Sequence, residues 1–120
     1  MRILMNRSFE RFARKHRLAP ERLIEAVERA QSGLVDARLG SGLIKQRVGR
    51  EGQGRSGGFR AVIVLEVGKL AVCVHGFAKN DASNLNATEL EALRALAKVL
   101  LEMGEEQVEA AVARGVLIEV

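Results

Sequence analysis

The sequence predicts an α+β fold, with a helical hairpin in the first third, an antiparallel run of strands in the middle and helices towards the end. Four observations carry this reading. Apolar residues recur at helical spacing between Phe9 and Ala30. The segments AVIVLEV (61–67) and LAVCV (70–74) are apolar on both alternations, as central strands covered on two faces are. Only a turn at Gly68-Lys69 separates them, which leaves no room for a βαβ crossover. Finally, Asn86-Ala-Thr-Glu89 has the side-chain pattern of a capping box ahead of a leucine-rich helix.

Taken in order, residues 1–5 (MRILM) read as a short edge strand, and Ser8 is placed to cap a helix starting at Phe9. Phe9, Phe12, Ala13 and His16 share one face of that helix, and His16 falls at its end, where it favours the negative pole of the helix dipole. Pro20 suits the first position of a second helix, whose stripe is Leu23, Ile24, Val27 and Ala30, and Gly33 is its stop signal. Strands are expected at Leu43–Val48, Phe59–Val67 and Leu70–Phe77. A helix follows from Asn86 to near Gly104, with Leu90, Leu93, Ala97, Leu100 and Leu101 inward. A short acidic helix covers Glu105 to about Ala113. The apolar tail Val116–Val120 suits either an edge strand or a segment that docks a partner.

Composition removes whole classes of function. At 120 residues the chain is expected to form a single domain, 1–120, and 48% apolar residues is too many for disorder. No run approaches the roughly 20 apolar residues of a membrane span. The charged start, MRILMNRSFERFARKHR, does not read as a secretory signal, so a cytoplasmic location is expected. One cysteine and two histidines argue against disulfides and thiolate or histidine metal clusters. Cys73 reads as a small core hydrophobe, and His75 as a core or supporting residue on the Cys73 and Phe77 side of its strand. Charge is unevenly spread. Residues 1–60 hold 14 Lys/Arg against 6 Asp/Glu, a balance of +8 out of a total of +4, so the first half is suited to an anionic partner.

The chemistry concentrates between Leu43 and Arg60, where Lys45, Arg47, Arg50, Arg55 and Arg60 face a single acid, Glu51. Seven of the twelve glycines fall between Gly40 and Gly58, which lets the backbone approach a phosphate closely. Lys45 and Arg47 project from one face of a strand, and Arg60 can return beside them after the glycine loop. Like charges gathered on one face repel, so the arrangement makes sense when a polyanion is expected. A solvated, incidentally basic hairpin is the plain alternative. GREGQGRSGG fits neither a Walker loop nor a dinucleotide fingerprint. With no Tyr or Trp, stacking on bases falls to Phe59, Phe77 or arginine planes. A polar turn, Gly76–Asn86, adds Lys79 and Asn80 beside a sheet end, although its asparagines also serve as helix caps.

The string LIKQRVGREGQGRSGGFRAVIV followed by VCVHGFAKNDASNLNATELEALRALA resembles the RelE/HigB-like toxins of bacterial type II toxin–antitoxin modules. The likeness lies in a K-x-R, glycine-loop, S-G-G-[FY]-R hairpin followed by G-F-A-K-[NS], and it extends to the closing GVLIEV. It implies a helical hairpin packed on a curved, mainly antiparallel sheet. It also implies a ribosome-dependent endoribonuclease that cuts messenger RNA in the decoding site. On that basis Lys45, Arg47 and Arg60 are the candidate catalytic residues, and Arg50, Arg55, Phe77, Lys79 and Asn80 are candidates for RNA binding. The RNA supplies its own nucleophile, the 2′-OH, so the scheme calls on neither metal nor cofactor. Lys45 is the candidate base, Arg47 and Arg60 stabilise charge on the phosphorane, and Lys79 and Arg55 position substrate. The implied partners are the ribosome, its messenger and a cognate antitoxin, commonly a helix-turn-helix protein, with no membrane. Two departures stand out: Asn80 occupies a place where some relatives carry arginine, and the tyrosine of others has no counterpart, which leaves the general acid unassigned. Two other functions fit the same features, a same-fold toxin that inhibits DNA gyrase and a non-catalytic basic nucleic-acid-binding module.

Overall fold

The computed structural model describes residues 1–50, 54–78 and 85–120, with the side chains of residues 50 and 54–57 left out. The elements run β1 (Arg2–Asn6), α1 (Arg7–Lys15), α2 (Pro20–Gln31), β2 (Ala37–Gly40), β3 (Leu43–Arg50), β4 (Gly54–Glu66), β5 (Leu70–Ala78), α3 (Ala87–Leu101), α4 (Glu105–Ala113) and β6 (Leu117–Glu119). Six strands form one sheet in the order β2-β3-β4-β5-β1-β6. All neighbours are antiparallel except β1 and β5, which are parallel. Among the described residues no helix is long and apolar enough to cross a membrane.

The sheet is covered on both faces. Phe9, Leu23, Ala26 and Val27 of α1 and α2 bury against Ile44, Val48, Phe59, Ile63 and Cys73. On the other face Ala97 and Leu100 of α3, with Val108 and Ala111 of α4, bury against Leu4, Leu43, Val62, Val64 and Val72. Near-continuous apolar strands are the sequence signature of such double burial.

Local chemistry explains most boundaries. The α1 cap is Asn6, not Ser8: the Asn6 side chain accepts from the Phe9 N–H at 2.8 Å, because β1 runs straight into the helix and leaves no loop for Ser8 to end. Pro20 opens α2, and Gly33, at φ +94°, follows its C-cap residue Ser32. The capping box at Asn86 and Glu89 is present in full.

Two expectations need correction, and one strand was not expected at all. The strand β1 lies inside the sheet, between β5 and β6, because the tail folds back as β6 and takes the edge. Arg2 helps to hold that closure by pairing with Glu109 of α4 and Glu119 of β6. Pairing of β3 with β4 continues to Arg50 and Gly54, so part of the glycine-rich stretch is strand and not loop. The edge strand β2 has only four residues, ARLG, too few for periodicity to reveal.

Candidate functional site

Register places the three candidate catalytic residues together. Arg47 on β3 is directly opposite Arg60 on β4, and Lys45 lies opposite Val62, two residues along the same face. Directly opposed residues project to one side of an antiparallel pair, with Cβ atoms about 5 Å apart. The face is the one that carries Leu43, Val62 and Val64 beneath α3. It is therefore apolar where α3 crosses it and cationic beyond.

A shallow cleft of about 190 Å³ opens at that boundary, lined by Leu39, Lys45, Phe77, Leu85 and Leu90. Lys45 is half-buried in its wall, and Arg60 is half-buried on the neighbouring strand. Among the described residues no carboxylate pairs with either one, and Arg60 donates only a long bond, 3.4 Å, to the Phe59 carbonyl.

Arg47 differs: it is anchored. Its guanidinium donates to Asp36 at 3.1 Å, and its backbone N–H donates to the other oxygen of the same carboxylate at 2.7 Å. Arg29, from α2, also reaches Asp36 at 3.4 Å, pairs with Glu25 at 2.6 Å and donates to the Arg47 carbonyl. Burial works to raise the Asp36 carboxyl pKa, but the bonds from the Arg47 backbone and guanidinium, the charge of Arg47 and the bond from Arg29 outweigh it and hold the carboxyl below its ordinary value. Two arginines and two carboxylates balance within this network. Among the described residues, the uncompensated charge of the site resides on Lys45 and Arg60. Arg47 keeps its remaining N–H donors for a ligand, in an orientation that Asp36 sets.

Gln46, between the two cations, points to the opposite face and is fully buried. Its Oε1 accepts from the Asp36 N–H at 2.7 Å, while Nε2 donates to the carbonyls of Ala26 and Leu34 at 2.9 and 3.2 Å. This fixes the segment that delivers Asp36. Neither Asp36, Arg29 nor Gln46 stood out in the sequence, since each acts across 7 to 20 residues of chain. Gln46 stands between two cations in LIKQRVGR, so no local pattern marked it as a buried polar group.

The aromatic candidates are not stacking platforms. Phe59 is buried under α1, with Phe12 edge-on at 5.6 Å and His16 at 5.0 Å. Phe77 is 7% exposed and forms part of the cleft wall. Lys79 and Asn80 lie outside the described residues, as do the side chains of Arg50 and Arg55.

His75 requires a further correction. Strict alternation puts it on the side of Cys73 and Phe77, but the β4–β5 register shifts by one residue, from Val62↔His75 to Ile63↔Cys73, with Val74 as the extra residue. A β-bulge of this kind reverses facing beyond it. Cys73 stays under α1 and α2, in surroundings that push its thiol up to about 12, while His75 and Phe77 turn to the cationic face. Gly76 confirms the assignment: a Cβ there would sit 2.5 Å from the Phe12 ring of α1, on the opposite side. The Asn6 side chain donates to the Val74 carbonyl at 3.3 Å, so the residue that caps α1 also holds the bulge.

A family model described as the RelE toxin of the RelE/RelB toxin–antitoxin system matches residues 1–120. No curated protein matches the chain.

Proposed function

Because the chain belongs to the RelE toxin family and is the toxin component of a toxin–antitoxin system, we propose that it is a metal-independent endoribonuclease of the HigB-like branch that cuts messenger RNA on the ribosome and so blocks translation in the cytoplasm. The observation that carries this reading is the direct pairing of Arg47 with Arg60 beside Lys45, on the face of the sheet where the α3 cover ends. The RNA 2′-oxygen attacks the adjacent phosphorus, the 2′-O–P bond forms and the P–O5′ bond breaks. A 2′,3′-cyclic phosphate and a 5′-hydroxyl result. Arg60 and the oriented Arg47 offer forked donors to the equatorial phosphate oxygens, where charge builds. Lys45, on the cleft wall, receives the 2′-hydroxyl proton.

The site is shallow, and the phenylalanine that lines it, Phe77, is buried. Little in it would bend a free RNA strand into the in-line geometry that the reaction needs. A ribosome holding the messenger supplies that geometry, which supports dependence on it. The antitoxin is proposed to be a small helix-turn-helix protein.

Expression without the antitoxin, with mapping of messenger 5′ ends, tests the proposal. Codon-linked cuts accompanied by growth arrest are expected, and Lys45→Ala and Arg60→Ala should fold yet permit growth. Intact messengers with double-strand DNA breaks and an SOS response would point to gyrase instead.

A further inference from the structure

We propose that His75 is the general acid of the cleavage reaction, delivering a proton to the departing 5′-oxygen. This rests on the ribonuclease reading above and assigns the one role that reading leaves empty.

Position comes first. His75 is half-buried on the cationic face, in a cross-strand row that runs Lys45, Val62, His75 over β3, β4 and β5. Arg47, Arg60 and Phe77 form the adjoining row. Lys45 and His75 thus flank Val62 at about 10 Å between backbones, two strand spacings. Arg60 is next to both. Val62 itself is buried under α3, so a phosphate held by Arg60 lies over the outer row, with Lys45 on its β3 side and His75 on its β5 side. In-line displacement needs this arrangement, because the attacking and leaving oxygens lie on opposite sides of phosphorus.

Chemistry narrows the choice. Arginine keeps its proton in proteins and cannot be the acid. Lys45 is occupied as the base. Among the described residues at this end of the face, His75 is the remaining side chain that can carry a proton on one ring nitrogen and give it up. When the 2′-O–P bond forms, the hydroxyl proton passes to the Lys45 amine. When the P–O5′ bond breaks, the imidazolium proton passes to the 5′-oxygen. The enzyme ends with an ammonium and a neutral imidazole, and solvent restores both.

The bulge is the device that makes this possible. Without the extra residue at Val74, His75 would point into the apolar layer under α1, where Phe12 fills the space over Gly76. Bulges re-aim side chains next to active sites, and this one is held by Asn6.

The test compares two messengers on programmed ribosomes, one ordinary and one with sulfur replacing the bridging 5′-oxygen at the mapped cut. A thiolate leaves without protonation. His75→Gln should slow the ordinary messenger about 10²–10⁴-fold, the usual contribution of a positioned acid. It should cut the sulfur messenger within a few-fold of wild type, and His75→Asn should behave the same way. Arg60→Ala should be impaired on both. A His75→Gln protein that cuts the ordinary messenger normally, or is equally slow on both, overturns the assignment. A wild-type protein that cuts neither would overturn the ribonuclease reading itself.

Discussion

Beneath α1 and α2, strands β3 to β5 present Ile44, Gln46, Val48, Phe59, Ala61, Ile63 and Cys73, every one of them buried. Beneath α3 the same strands present Leu43, Val64 and Val72 at one end and Arg47 and Arg60 at the other, with Lys45 and His75 on either side of the buried Val62 between them. One face is a closed layer. The other is half core and half site, and the change comes where Leu85 and Leu90 meet Lys45 and Phe77. The contrast separates two demands on one sheet. Unpaired cations cannot be buried cheaply, so they gather where a covering helix stops, while the closed face supplies the rigidity that keeps them aligned.

If the division is sound, substitutions on the two faces fail differently. Arg60→Ala on the open face should lose about 10²–10³-fold in cleavage rate, the cost of removing one charge-stabilising donor, while thermal melting stays within a degree or two of wild type. On the closed face the loss should be of stability. Gln46→Leu strips partners from the Asp36 N–H and from the Ala26 and Leu34 carbonyls. It should lower unfolding free energy by about 1–3 kcal/mol or more in urea titration. Gly76→Ala forces a methyl to within 2.5 Å of the Phe12 ring, a crowding worth about 1–3 kcal/mol. Retention of full stability in Gly76→Ala would mean that His75 and Gly76 do not face as described.

Asp36 joins the faces, and its effect is the smallest. Folding holds its carboxyl below the ordinary 3.8, so the bonds from Arg47 and Arg29 stabilise the fold above about pH 4. That contribution fades as pH falls through the lowered value. Asp36→Asn should therefore flatten part of the fall in urea midpoint between pH 5 and 2 while barely moving it near the bottom of that range. A parallel shift at every pH would contradict the charge network.

Much of this architecture was legible in the sequence, and the reasons are local. The α2 start at Pro20, the Asn86–Glu89 box and the tight β4–β5 turn each depend on residues a few positions apart. The family motif around Lys45, Arg47 and Arg60 was equally visible, and cross-strand register then put them on one face. What escaped is non-local. Asp36 meets Arg47 across 11 positions, and Gln46 meets Ala26 across 20. The bulge at Val74 leaves no mark in a strand apolar on both alternations, so a histidine that reads as core lies on the cationic face.

The central claim, that the open end of the α3 face cleaves RNA, is tested most directly by incubating the purified chain with ribosomes translating a defined messenger. Wild type should yield codon-positioned fragments ending in 2′,3′-cyclic phosphate and beginning with 5′-hydroxyl, and Arg60→Ala should yield almost none. Intact messenger with wild type, or equal cutting by Arg60→Ala, would contradict it.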